Sequence, residues 1–395
     1  MQYWYIIFAC FLAVACGGGS GADDPLRTTA VAWAVGSAID GPGLQGHPVV
    51  VRSEDGGFTW GAPTSLPAID AARGFVARAI AFSSTGTGWT VGDRGPFTFA
   101  DTLVTRDHGA SWTSQASNFA HDAGTVLELF DVHASAAAVV VVGGDHSVVS
   151  QGLNPDGVVF RSVDEGASWR RRVSTRPGPF RSVCLTALGV GAAVGFSHIS
   201  TAIAVTTRDG GERWQEISRN MHPQPTALHA VACASPEHLW FTGSFFNSEA
   251  GILYSPDGGT TWFDRTPAAS GGRGVGPIDF VDQDTGWALS SRIMFRTDDG
   301  GRSWVAQEFP LPPERVTWHD LEFVDRNHGV AVGTRIVGGR AQGGFAIVSA
   351  DGGRTWHESS LSQDVRDLRG VTLLEQGGPP GSHGAGRSSV QFATR

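Results

Sequence analysis

Seven copies of one eight-residue pattern, Ser/Thr-x-Asp-x-Gly-x-x-Trp, recur along this chain. They span Ser53–Trp60, Thr105–Trp112, Ser162–Trp169, Thr207–Trp214, Ser255–Trp262, Thr297–Trp304 and Ser349–Trp356. The central aspartates, Asp55, Asp107, Asp164, Asp209, Asp257, Asp299 and Asp351, stand 52, 57, 45, 48, 42 and 52 residues apart. A period of about 49 residues fits one four-stranded propeller blade. Within each box the Asp and the leading hydroxyl can accept turn N–H groups. The Gly at the fifth position suits a positive φ. The closing Trp60, Trp112, Trp169, Trp214, Trp262, Trp304 and Trp356 supply large surfaces to bury against each hairpin.

A second motif precedes each box. It reads Ala32-Trp33-Ala34-Val35-Gly36 in the first unit, Gly88-Trp89-Thr90-Val91-Gly92 in the second and Gly329-Val330-Ala331-Val332-Gly333 in the last. Ahead of it lies an alternating segment, clearest in Leu321-Glu322-Phe323-Val324-Asp325. Each unit is therefore strand, strand, strand, box hairpin, strand. The first unit lacks a good first strand, and Leu368–Leu373, after the last box, has the missing pattern. The expected fold is all-β: a seven-bladed propeller of four-stranded antiparallel blades, its ring closed by joining amino- and carboxyl-terminal strands. The 54 Gly and 13 Trp fall largely in these motifs. That aromatic content excludes ordinary disorder, and the absence of a three-residue glycine period excludes collagen. The tail Ser388–Arg395 could add an edge strand or stay loose.

The formal charge is −9, and all 29 basic residues are Arg. An acidic balance argues against a general nucleic-acid binder. No P-loop, HExxH or GxSxG motif occurs, and the 13 His show no close metal-ligand spacing, so neither cofactor nor metal is expected.

The amino terminus sets the expected compartment. Residues 1–15 read as a short export signal, too short to span a bilayer as a mature helix. Leu12-Ala13-Val14-Ala15-Cys16, followed by Gly17-Gly18-Gly19-Ser20-Gly21, resembles a bacterial lipobox and tether. The resemblance implies lipid on Cys16, a tether over residues 16–25 and one propeller domain over 26–395, anchored on the extracytoplasmic side of a membrane. An ordinary signal peptide with a freely secreted product is the alternative.

The eight-residue run resembles the Asp-box, or BNR repeat, of sialidases, sortilin-type receptors and related propellers. Together with the Gly-Trp-Ala-Val-Gly strand it looks most like the Ycf48/HCF136-like propellers, which are photosystem II assembly and stability factors. The resemblance covers roughly residues 26–375 and implies a structural role for the box residues, a protein partner and no catalysis. Sialidase chemistry needs a Tyr nucleophile, and Tyr254 is the only tyrosine beyond the export signal. It directly precedes the fifth box, away from any central site. A glycosidase of another kind would need paired carboxylates, for which Asp279, Asp320 and Glu322 are candidates.

Aligned first strands place Arg78, Arg181, His229, His319 and Arg369 two residues before an apolar anchor, with Phe130 and Gly276 near that position in units three and six. First strands line a propeller's axis, so these groups could form a cationic ring suited to a carboxylate or acidic peptide. Alternatively they satisfy carbonyls of neighbouring blades. Cys184 and Cys233 follow the same anchor by offsets of opposite parity, which permits a disulfide between units four and five or two buried thiols. The expected function is a monomeric, non-catalytic scaffold that docks a protein partner; a glycan- or ligand-binding surface module is the second reading.

Overall fold

The computed structural model describes residues 30–39, 46–67, 76–93, 101–115, 126–147, 155–175, 178–197, 201–245, 250–270, 274–290, 292–308, 315–375 and 388–389. They form seven antiparallel sheets arranged as the blades of a propeller. Cys16 and the expected signal and tether lie outside the described residues. Blade one is built from both ends of the chain: Val365–Glu375 is its innermost strand and pairs with Ala30–Ala38, followed by His47–Ser53 and Thr64–Ser65. The innermost strands of blades two to seven are Val76–Phe82, Leu127–Ala134, Phe180–Leu185, Pro225–Cys233, Val275–Phe280 and Arg315–Phe323. Each of the seven contacts the next around the axis, including blade seven against blade one.

The hydrophobic residues form seven separate clusters, each shared by two neighbouring blades. Val330, Val332 and Val348 of blade seven, for example, pack on Ala32, Val371 and Leu373 of blade one. Blades two and three share Trp89, Val91, Leu129 and Val141, and blades four and five share Val194, Leu228 and Phe241. Stability therefore resides between blades, and a blade alone has no core of its own.

The boxes act at these interfaces. In the first, the Ser53 hydroxyl donates to Asp55 Oδ1 at 2.7 Å and accepts the Gly57 N–H at 2.7 Å. The other side of Asp55 accepts the N–H and hydroxyl of Thr59. All seven fifth-position glycines have φ between 78° and 105°. The fourth position is left-handed too, which the sequence reading did not foresee, because His108 (φ 57°) and Glu165 (φ 53°) occupy it in two boxes. That position matters through its carbonyl. The second-strand indoles of Trp33, Trp240 and Trp287 donate to the carbonyls of His108, Gly300 and Gly352 in the next blade's box. Each of these tryptophans also stacks on a Phe ending the next blade's innermost strand. Trp33–Phe82, Trp240–Phe280 and Trp287–Phe323 have centroids 4.2, 3.7 and 3.5 Å apart. The box tryptophans Trp112, Trp304 and Trp356 meet the same phenylalanines edge-on. Among the box tryptophans, Trp60, Trp112, Trp169 and Trp356 are buried, while Trp214, Trp262 and Trp304 are half-buried.

A third device caps the inner strand edges, whose N–H groups would otherwise lack ladder partners. Asp131 accepts the N–H of Val132 in its own blade and of Val183 in blade four. Asp279 does the same for Phe280 and Phe323, and Asp320 for Leu321 and Val371. Asp320 thereby joins blade seven to blade one, where the two chain ends meet. Cys184 and Cys233 form a disulfide between the innermost strands of blades four and five, with Cα atoms 5.9 Å apart.

Three outcomes follow. Asp320→Asn puts an amide N–H₂ where two backbone donors need an acceptor, and should lower unfolding stability by about 2–4 kcal/mol, read from denaturant midpoints. His108→Gly, relieving a left-handed non-glycine while keeping the carbonyl that Trp33 uses, should raise stability by about 1 kcal/mol. The carboxyls of Asp107 and Asp164 are held down at about 2, chiefly by the hydroxyls of Ser111 and Ser168. Folded values below the unfolded ones mean that this stabilisation is complete above roughly pH 4 and is lost as pH falls toward about 2. Asp107→Asn with Asp164→Asn should flatten the decline of the urea midpoint across that window.

Candidate functional site

The aligned positions singled out in the sequence coincide with a backbone irregularity in every innermost strand. In blade two Ala77 opposes Gly92 and Ala79 opposes Val91, so Arg78 is an extra residue, a β-bulge. Phe130, Arg181, His229, His319 and Arg369 are skipped in the same way. In blade six the one-residue excess falls at Gly276–Pro277. The bulges also explain the last Gly of the second-strand motif. A Cβ on Gly36, Gly143, Gly195, Gly243 or Gly333 would lie 1.9–2.4 Å from a carbonyl oxygen of the facing strand. Blade six, with Ser290 at that place, is the blade whose bulge contains Gly and Pro.

Around the axis the bulge residues run Arg369, Arg78, Phe130, Arg181, His229, Gly276–Pro277, His319. All five of the charged or imidazole groups are half-buried. The Arg181 guanidinium carbon lies 3.9 Å from the Phe130 ring centroid, and that of Arg78 lies 5.0 Å from it. Arg181 also stands 5.3 Å from Phe196, whose ring meets His229 edge-on at 5.3 Å. Blades two to four thus carry a continuous arc of guanidinium and aromatic groups, with Arg369 at the neighbouring bulge of blade one, and each cation–π contact contributes about 0.5–2 kcal/mol.

The ring is less cationic than the sequence suggested. His229 Nε2 is 3.2 Å from Ser244 Oγ, and burial, with the Arg181 charge, lowers its pKa to about 4, so it is neutral at pH 7. His319 Nε2 is 3.0 Å from Thr334 Oγ1. Arg369 Nε donates to Asp367 at 3.2 Å. Glu128, 3.0 Å from His146, is held below the usual carboxylate range: burial opposes this, but the His146 hydrogen bond and the charges of His146, Arg78 and Arg181 outweigh it. Glu128 and Asp367 each sit two residues before a bulge residue, on the same strand face, and this spacing could have revealed them. His146 joins the site through Glu128, while Asp145 pairs with Arg171 at 2.9 Å. Arg172 pairs with Glu212 at 2.8 Å.

The candidate glycosidase carboxylates are committed elsewhere. Asp279 and Asp320 cap backbone N–H groups, and Glu322 Oε1 accepts the Leu373 N–H at 3.1 Å. Tyr254 is buried against Trp240 and His238 in blade five. Among the described residues no group of three or more His, Cys, Asp or Glu side chains could hold a metal ion.

No protein-family profile matches the chain. It is 24% identical over 294 residues to the photosystem II assembly protein Ycf48 of Synechococcus sp. (strain JA-2-3B'a(2-13)), covering 72% of this chain and 76% of that protein. Two solved propellers share its fold. One, Ycf48 from Cyanidioschyzon merolae, is 19% identical with a TM-score of 0.52, covering 78% of this chain and 96% of the other. The second, Ycf48 bound to a D1 peptide, is 18% identical with a TM-score of 0.52, covering 72% and 82%. In its fold the chain is a seven-bladed β-propeller, and in that fold it is similar to Ycf48.

Proposed function

We propose that the chain is a non-catalytic docking propeller that holds an acidic, extended segment of a protein partner at the bulge ring. The observation that carries this reading is the arc Arg369–Arg78–Phe130–Arg181, which aligned bulges bring together from four blades. Guanidinium groups favour carboxylates through paired N–H donors, and Phe130 adds an apolar surface between them. A carboxylate of the partner would compete with Glu128 and Asp367 for these donors, which favours reversible, salt-sensitive capture. The likeness to an assembly protein and to a Ycf48 structure with a bound peptide supports the same class of function.

Glycan binding has less support. Stacking on sugars needs exposed aromatic faces, and Phe263, 46% exposed on the outermost strand of blade five, is the one exposed large aromatic among the described residues. The lipobox-like run at Leu12–Cys16 supports anchoring through Cys16, outside the cytoplasm.

Replacing Arg78, Arg181 and Arg369 together by Ala should reduce partner capture from cross-linked membranes by about tenfold or more, because charge-assisted pairs are lost. The thermal midpoint should fall by several degrees as the contacts on Phe130 and Phe196 are lost, with unfolding still cooperative because the inter-blade cores are intact. Lys at the same positions should restore capture only in part. Capture unchanged by the Ala replacements would refute the assignment.

A further inference from the structure

The axial channel already contains a strand. Ser388–Ser389 pairs antiparallel with the innermost strand of blade seven, Ser389 opposite Asp320 and Ser388 opposite Leu321. It joins that sheet on the axial side, beyond Arg315–Phe323, and not on the outer edge. The same two residues lie against the innermost strands of blades four, five and six. Their depth is that of the bulge ring, because Asp320 directly follows the bulge residue His319.

Twelve residues, from Gln376 to Arg387, connect the end of blade one's innermost strand to this pair. Five are Gly and two are Pro. The occupied side of the channel, blades four to seven, carries Arg181, His229, Gly276–Pro277 and His319 at its bulges, and Arg369, Arg78 and Phe130 stand at the bulges of the other three blades. Toward the box face a cavity of about 340 Å³ remains, bounded by Glu322, Thr372, Leu373, Phe82, His133 and Ala134.

We infer that the strand Ser388–Ser389 is an intrinsic occupant of the axial channel and competes there with the acidic partner segment. This inference rests on the docking reading above and adds its regulation. Paired strands need about 4.8 Å of backbone spacing and about 10 Å for side chains face to face. A channel in which four of seven inner strands already meet one strand has no room for a second at that depth. The partner gains access as the Ser388–Ser389 strand leaves. Its apparent affinity is reduced by the fraction of time the channel is filled.

The test compares the full chain with its Ser388→Pro/Ser389→Pro variant, since proline removes the backbone donors of the short strand. The probe is a fluorescein-labelled hexapeptide of alternating glutamate and leucine, followed by anisotropy. The variant should bind it about five- to fiftyfold more tightly, the range expected when a mostly filled site is vacated. A synthetic peptide of residues 386–395, added in trans, should reverse the gain. Equal affinity in the two chains, or weaker binding by the variant, overturns the inference. If neither chain binds the probe, the docking reading fails, and amide hydrogen exchange in residues 317–323 decides occupancy by itself. Faster exchange in the proline variant then supports a filled channel, and equal exchange overturns it.

Discussion

An innermost propeller strand pairs on one side only, and a ring of seven such strands turns seven bare edges toward a narrow axis. The fold depends on how those edges are covered. Asp131, Asp279 and Asp320 each accept one N–H from their own strand and one from the next blade. Each stands just after the bulge, or after the bulge and one apolar residue, where the strand has shifted its register. In blade four the Ser182 hydroxyl reaches the Val231 N–H in the same sense. Blade one has Gly370 at the matching place, and its close approach to Ala79 of blade two leaves no room for a side chain. The same bulges that admit these caps turn Arg78, Phe130, Arg181 and Arg369 toward one another, so the edge-capping device and the docking arc have one origin.

Outward from the axis the blades are held in register by aromatic layers. A second-strand Trp, the terminal Phe of the next innermost strand and that blade's box Trp form repeated triplets, with the indole N–H pinned to a box carbonyl. A box therefore does more than close its own hairpin. It presents an acceptor to the preceding blade, which explains why its fourth residue adopts a left-handed conformation even where the sequence supplies His108 or Glu165.

Much of this was legible in the residues. The boxes, the Trp-containing strands and the late Leu368–Leu373 segment were sufficient for blade number, strand order and ring closure, because each is a local pattern repeated seven times. The ring residues were legible as a column, but not as bulges, since a one-residue excess leaves no mark in hydrophobic alternation. Their charge was misjudged for a related reason. Burial of His229 and the placement of Glu128 beside Arg78 and Arg181 depend on neighbouring blades about 50 residues away in sequence, whereas Asp367, two residues before Arg369, was within reach of the sequence alone. The tail does add an edge strand, one of the two outcomes the sequence allowed, at Ser388–Ser389; that the edge is the axial one was not legible, because two serines carry no periodicity.

The pairing of Ala30 with Glu375 fixes more than ring closure. Ala32 in turn opposes Ser53, where the first box begins, so the chain enters the propeller on the box-bearing face. The bulge ring lies farther along the same strand, at Val35 and Gly36, toward the other face. Chain entry and the boxes thus share one face of the disc, while the bulges that carry Arg78, Arg181 and Arg369 lie toward the other.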